Sequence, residues 1–182
     1  YAVDPNDDTI MYYPGGRQMW RNTQVDQIPN YNNGGTTDGW IDFEAIAETG
    51  YVISAMSVTK SQPSDRLYYA GYSETQAPKL FYIDDASSSQ NDVDISISGA
   101  EVGSYVHDIA INPQDGEEII AVMSNYNITG IYHSTDGGAN WAPIEGNLTG
   151  SAQNAGPSIR SATILPTASG TIYLVGTSTG VY

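Results

Sequence analysis

The adjacent residues His107 and Asp108 are the pair in this sequence whose types best suit chemistry. They stand in a segment, 106–113, in which apolar and polar residues alternate before a proline, which predicts a β-strand. An imidazole beside a carboxylate can serve as an acid/base pair or as half of a metal site. Arg160 begins a similar segment, and its guanidinium group can hold a carboxylate. Asp108 is therefore the candidate catalytic residue, and Arg160 a candidate ligand-binding residue.

A second candidate site is the acidic stretch between residues 84 and 94. Its carboxylates could bind calcium, because this ion prefers oxygen ligands. The candidate ligands are Asp84, Asp85, Asp92 and Asp94. Another acidic run, residues 4–8, lacks the glycine and glutamate that an EF-hand loop requires, so we interpret it as a turn. We expect no cofactor, with calcium in the acidic stretch as the alternative.

These candidates lie on strands that recur in a fixed order. Residues 104–150 contain four predicted short strands in succession, and the same order recurs before and after them. This pattern predicts an all-β protein, a β-propeller segment of roughly three and a half four-stranded antiparallel blades in an incomplete ring. The predicted blades are 1–50 with a truncated first strand, 51–103 with a degenerate pattern, 104–150, and a partial blade at 151–182.

Prolines allow the blades to be aligned with one another. Each predicted first strand is followed by a proline, and these prolines are Pro5, Pro63, Pro113 and Pro166. The alignment is expected to bring Ser54, His107 and Arg160 to one level of the innermost strands, with Asp108 and Ser161 next to them, where a propeller ligand over the central channel would lie. These ligand-binding candidates are Ser54, His107, Asp108, Arg160 and Ser161. The alternative is that they are simply the polar lining of a solvated channel.

The segment 134–141 has the composition of a tight turn between two strands. Asp136 can accept hydrogen bonds from turn amides, Gly138 permits a positive φ, and Trp141 can cover the turn with an apolar ring. With Ser134, these residues resemble the Asp box, S/T-x-D-x-G-x-x-W, of the BNR/Asp-box repeat proteins. That family includes sialidases, xyloglucanase-type glycosidases and sortilin-type receptors. The resemblance implies a structural role for all four residues, at the connection between the third and fourth strands of a propeller blade.

The same resemblance limits the chemistry that these residues alone could perform. Sialidases bind the substrate carboxylate with an arginine cluster, whereas Arg160 is the one arginine expected at the start of an inner strand. Xyloglucanase-type enzymes use two carboxylates across a cleft, in line with general glycosidase chemistry. Asp108 supplies one acid, so we expect binding rather than catalysis within this chain, and glycoside hydrolysis if the chain is catalytic at all.

Composition excludes several partners. The chain of 182 residues has 6 Lys and Arg against 21 Asp and Glu, a net charge of −15, which argues against nucleic acid and anionic membranes. No apolar run is long enough to predict membrane insertion. Without cysteine the chain has neither disulfides nor thiolate metal ligands. The acidity and the largely bacterial repeat family predict a secreted or cell-surface protein, of bacterial origin.

Two further features of the sequence lead to predictions about a loop and about the exposure of a histidine. An insertion at 24–37, rich in asparagine and glycine, is interpreted as a surface loop or, alternatively, as a loop that contacts a ligand. His133 is expected to face outward on its strand.

We interpret the chain as an excised part of a larger secreted propeller. The first hypothesis is a binding or scaffold domain for protein or carbohydrate, in which tyrosines and Trp20 could stack on sugars. The second is a fragment of a sialidase-like or xyloglucanase-like glycoside hydrolase with catalytic residues partly elsewhere, and the third is a purely structural repeat. The expected partners are the remaining blades of a parent chain or a second copy, because open sheet edges invite pairing.

Overall fold

The protein consists almost entirely of β-strands. The computed structural model describes residues 1–28, 39–148, 150–151 and 154–182. The strands are β1 (Ala2–Val3), β2 (Met11–Gly15), β3 (Gln18–Asn22), β4 (Trp40–Glu44), β5 (Val52–Val58), β6 (Leu67–Tyr72), β7 (Lys79–Ile83), β8 (Asp92–Asp94), β9 (Val106–Asn112), β10 (Asp115–Met123), β11 (Ile131–Ser134), β12 (Ala142–Pro143), β13 (Gly150–Ser151), β14 (Asn154–Ala155), β15 (Ile159–Thr167) and β16 (Gly170–Thr177). Within these ranges the helical structure is a single 3-10 turn, Val25–Gln27, and no helix could cross a membrane.

Consecutive strands form three four-stranded antiparallel sheets. The first sheet contains β1 to β4, the second β5 to β8 and the third β9 to β12, and in each the spatial order is the chain order. Short turns between strands rich in tyrosine, valine and isoleucine favour this meander, because such side chains suit a pleated surface that is covered on both faces. The first strand of each sheet therefore lies at one edge and the fourth strand at the other.

The sheets pack face to face through three apolar cores. Neighbouring residues of a strand point to opposite faces. In β6, Tyr69 therefore contributes to the core shared with the first sheet and Tyr68 to the core shared with the third. In β10, Ile119 faces the second sheet and Ile120 faces β15 and β16 in the same manner. All four side chains are at most 1% exposed, so each middle sheet is buried on both faces.

The first strand of every sheet lies on the inside of the assembly. β5 contacts β1 on one side and β9 on the other, and β9 in turn contacts β15. The inner strands thus follow one another around a central channel, and the sheets radiate from it. This arrangement is a β-propeller with an incomplete ring, which confirms the predicted fold class.

The fourth sheet contains the two long strands β15 and β16. A bridge between Gly176 and Val181 adds a short third segment. One face of this sheet packs on the third sheet, whereas Leu165, Ile172 and Leu174 on the hairpin are exposed. The described part of the chain places no further sheet on these side chains.

Two details differ from the expectations for individual strands. β8 ends at Asp94, because Ile95 turns inward and is buried in the second core. Pro166 lies within β15, paired with Thr171, rather than in the turn. A proline is tolerated there because β15 is an edge strand, in which a missing N–H need not break a ladder hydrogen bond. Of the predicted insertion, residues 29–38 lie outside the described residues.

Candidate functional site

The inner strands share one irregularity close to their beginnings. Each of β5, β9 and β15 contains a β-bulge in which one residue has no partner on the neighbouring strand. The unmatched residues are Ser54 in β5, His107 in β9 and Arg160 in β15. A bulge redirects the side chain of its extra residue, and bulges are over-represented beside active sites. These bulge residues come from three consecutive sheets; His107 and Arg160 each lie six residues before a proline, whereas Ser54 lies nine residues before Pro63.

The three bulge residues differ in what they contact. Ser54 is half-buried, its hydroxyl lies 3.4 Å from the carbonyl oxygen of Ala70, and it lines a pocket of about 130 Å³ between the first two sheets. His107 and Arg160 are exposed. The bulge site, meaning Ser54, His107 and Arg160, thus offers a hydroxyl, an imidazole and a guanidinium group along the inner strands.

Arg160 is the arginine that is available for a ligand. Arg17, Arg21 and Arg66 each bind a carboxylate or a backbone carbonyl of another segment. Arg160 has no such partner among the residues that the structure describes. The chain has a net charge of −15, and yet this exposed guanidinium group has no ion pair within the described ranges. It can therefore bind a carboxylate or a hydroxyl oxygen of a ligand.

Asp108 links the third sheet to the fourth. Its Oδ2 atom accepts a hydrogen bond of 3.0 Å from the backbone amide of Ala162 in β15. Burial raises the pKa of the Asp108 carboxyl, and it outweighs the opposing effects of the Ala162 and Ile109 amides and of His107. Ser161, the last of the ligand-binding candidates, is exposed and follows the bulge of β15. Asp108 therefore lies at the level of the bulge site, but one of its oxygens is occupied by the backbone.

The turn after β11 is held by a dense set of hydrogen bonds. The Ser134 hydroxyl donates to Asp136 Oδ1 over 2.8 Å and accepts from the Gly138 amide over 2.9 Å. Both carboxylate oxygens of Asp136 accept from Asn140, and these bonds lower the pKa of Asp136. The indole N–H of Trp141 donates to the Ile95 carbonyl over 2.8 Å. The turn thus connects β11 to β12 and also fastens the third sheet to the second.

The acidic stretch does not gather its carboxylates at one point. Asp84 pairs with Arg66 at 2.6 Å, and Asp94 accepts from the Lys79 ammonium group at 3.2 Å. Asp92 accepts from the Tyr69 hydroxyl over 2.8 Å, while Asp85 occupies a turn with a φ of 51°. Within the described residues no three carboxylate or imidazole groups are placed to hold a metal ion together.

Sequence reasoning missed one polar cluster, between the third and fourth sheets. Glu118 Oε1 accepts from the Tyr173 hydroxyl over 2.7 Å and lies 3.1 Å from His133 Nε2. The side chains of His133 and Glu118 are only 16% and 12% exposed, so the expectation that His133 faces outward was wrong. The fourth sheet covers this histidine, and no local pattern in β11 reveals that.

The backbone fold is similar to three solved structures. They are an ancestral GH74 enzyme (TM-score 0.61, 12% identity, 96% of this chain and 21% of that chain), the GH74 xyloglucanase from Xanthomonas campestris (0.55, 17%, 98% and 35%) and a NanB sialidase variant from Streptococcus pneumoniae (0.51, 14%, 87% and 23%). This chain therefore spans about a fifth to a third of their lengths. No protein-family model matches the chain, and no curated protein matches its sequence. At such low identities the likeness shows the fold alone, which is that of the β-propellers in GH74 enzymes and NanB sialidase.

Proposed function

We propose that this chain is part of a carbohydrate-binding β-propeller whose ligand lies over the channel, at the bulge site. The observation that carries the proposal is the repetition of one bulge at corresponding places in β5, β9 and β15. A single bulge is a common irregularity. Three of them at corresponding places, each with a polar side chain, repeat around the channel, and a few placed polar groups are what orients a ligand in a binding site.

The solved structures support carbohydrate as the ligand class. Two of the proteins that share this fold are named a xyloglucanase and a sialidase. The bulge site itself suits a sugar, because hydroxyl, imidazole and guanidinium groups can all bond to hydroxyl or carboxylate oxygens. We also propose that 134–141 is an Asp box of the BNR type and that the protein acts outside a bacterial cell, as the resemblance implies.

A glycan array compared across variants tests this function. Wild-type protein is expected to bind a defined set of glycans, and Arg160→Ala to bind them about 10 to 100 times more weakly, because a hydrogen bond to a charged group contributes about 1.5–3 kcal/mol. His107→Ala is expected to weaken binding as well. Lys60→Ala removes an equally exposed cation outside the bulge site and serves as the control. Absence of glycan binding, or unchanged binding by Arg160→Ala, would contradict the proposal.

The raised pKa of Asp108 favours a second candidate, a glycoside hydrolase fragment. A general acid in a glycosidase is a carboxyl group with a raised pKa, and burial shifts the pKa of Asp108 in that direction. A second carboxylate would have to come from another part of the ring. Release of reducing ends from polysaccharides by the complete propeller, and its loss in Asp108→Asn, would support this candidate. Unchanged hydrolysis by that variant would exclude Asp108 as the acid.

We further propose that another blade covers the exposed face of the fourth sheet. Leu165, Ile172 and Leu174 present there the kind of apolar surface that elsewhere in this protein packs against the next sheet. The blade could belong to the same polypeptide or to a second copy. Sedimentation of the chain of 182 residues is expected to show association through this face, reduced by Ile172→Lys. A stable monomer in dilute solution would contradict the proposal.

A further inference from the structure

Two tyrosines extend the bulge site toward the second sheet. Tyr72 ends β6, and Tyr105 immediately precedes β9. The ring centroids of Tyr72 and Tyr105 are 4.9 Å apart, and those of Tyr105 and His107 are 5.8 Å apart. These three rings, here called the aromatic shelf, form a continuous row. The shelf runs from a bulge residue of the third sheet to the end of β6 in the second sheet.

The backbone that carries the middle ring of the shelf is held by hydrogen bonds from two sides. The side-chain oxygen of Asn125 accepts from the Tyr105 amide over 2.6 Å, and its Nδ2 donates to the Gly103 carbonyl over 3.0 Å. The Gly103 amide donates in turn to the Gln76 carbonyl, in the loop between β6 and β7. Loops of both sheets therefore fix the backbone of Tyr105. A surface that is already ordered loses little conformational entropy when it binds a ligand.

A pocket of about 390 Å³ adjoins the Tyr72 end of the shelf. This volume lies within the range of small-molecule sites. Val52 and Tyr72 form its apolar wall, while Ser73, Glu74 and Thr75 supply hydrogen-bonding groups. Its one charged side chain is the Glu74 carboxylate, which repels anions and accepts hydrogen bonds from hydroxyl groups. The pocket therefore suits a neutral molecule that has an apolar face and a hydroxyl-rich edge.

A neutral sugar ring has both of these features. On the basis of the carbohydrate function proposed above, we infer that the aromatic shelf and its pocket bind neutral pyranose units of an oligosaccharide whose next units reach His107 and Arg160. The apolar faces of the sugars lie on the aromatic rings, and their hydroxyl groups bond to Glu74 and its neighbours. The ligand is then a chain bound along its length rather than a single terminal sugar.

Calorimetric titration with sugar series of increasing length tests the inference. The neutral probes are β-1,4-linked and α-1,4-linked glucose oligomers, and the acidic probes are galacturonic acid oligomers. We expect at least one neutral series to bind, with an affinity that rises from the dimer to the hexamer. Binding of the acidic series alone would overturn the inference and leave the carbohydrate function standing. Binding of no series, together with a silent glycan array, would overturn both.

Variants then assign the binding to the shelf. Tyr105→Ala and Tyr72→Ala are each expected to lower the affinity for the hexamer about two- to twelvefold, since an aromatic stacking contact contributes about 0.5–1.5 kcal/mol. Tyr105→Phe retains the ring and should bind as the wild type does. Tyr13→Ala removes an exposed tyrosine of the first sheet and is the matched control.

Thermal melting is measured for every variant to test whether the variant is folded. If Tyr105→Ala does not fold, Glu74→Ala and Tyr72→Ala carry the test, because both residues lie beside the pocket rather than in the core. Hexamer affinity that is unchanged in the folded shelf variants would overturn the inference.

Discussion

Replacing Gly138 by alanine is expected to weaken the junction between the second and third sheets. Gly138 has a φ of 92° in the turn after β11. A Cβ atom at this position would lie 2.6 Å from Ile95 Cδ1 and 2.9 Å from Ile95 Cβ. Ile95 is only 7% exposed and belongs to the second core, so it cannot withdraw into solvent. The substitution therefore combines an unfavourable backbone conformation with a steric clash.

The two costs can be assigned magnitudes separately. A side chain at positive φ costs about 1–2 kcal/mol, and overpacking of a core costs about 1–3 kcal/mol. Together they predict a loss of about 2–5 kcal/mol in the free energy of unfolding. For a chain of this length each kcal/mol lowers the melting temperature by about 2–4 °C, so we expect a decrease of about 4–20 °C.

Gly99→Ala provides the control for the backbone cost. Gly99 has a φ of 79°, and a Cβ atom there would meet nothing within 4 Å. The free energy of unfolding of Gly99→Ala should therefore fall only by the backbone contribution, about 1–2 kcal/mol. A double-mutant cycle between Gly138→Ala and Ile95→Ala isolates the contact with the outer atoms of Ile95, because the truncation removes Cγ1 and Cδ1 and leaves only the Cβ atom close to the new methyl group. The double variant should lose less stability than the two single losses added together.

Urea unfolding followed by tryptophan fluorescence gives these free energies, and circular dichroism gives the melting temperatures. If Gly138→Ala loses no more stability than Gly99→Ala, the contact with Ile95 does not constrain this turn. If the cycle is additive, contact with Ile95 Cγ1 and Cδ1 contributes nothing to the loss. Either result would refute the reasoning.

Three further predictions concern the junctions between sheets. Trp141→Phe should cost about 1–3 kcal/mol in urea unfolding, because it leaves the part-buried carbonyl of Ile95, which follows β8, without its donor. Burial alone would raise the pKa of Glu118, but hydrogen bonds from Tyr173, Asn112 and His133 lower it. Stability from Glu118 is therefore present above its unfolded pKa and lost as the pH falls through its folded pKa, and Tyr173→Phe should reduce this acid sensitivity. The raised pKa of Asp108 makes stability depend on pH in the opposite direction. The stability that Asp108 contributes is present at low pH and is lost as the pH rises through its folded pKa, and Asp108→Asn should remove this loss.

Unfolding free energies measured from acidic to neutral pH check both titrations. Identical profiles for the wild type and Tyr173→Phe would contradict the role of Glu118. A wild-type stability that rises by as much as that of Asp108→Asn over the same range would contradict the burial effect on Asp108. Trp141→Phe that melts with the wild type would show that its indole hydrogen bond contributes no net stability.

The strand order of this protein follows from local patterns. Alternating apolar residues in segments such as β9, with turn residues between them, predict strands without reference to the rest of the chain. The recurrence of four strands then predicts radial sheets, since a sheet with two apolar faces must be covered on both. Alignment on the prolines also gives His107 and Arg160 equivalent positions, six residues before Pro113 and Pro166, and both are unmatched residues of inner strands. Local periodicity and repetition were sufficient for these features.

The contacts between sheets depended on the tertiary structure. The approach of Gly138 to Ile95, the hydrogen bond from Ala162 to Asp108 and the burial of His133 join segments that lie far apart in the chain. The bulges also depend on the tertiary structure, because a residue is unmatched only relative to the register of the neighbouring strand. Sequence alone determined which strands form and in what order. Packing of one sheet on the next decided which side chains meet, because the relative placement of two faces is set by the fit of all their side chains together.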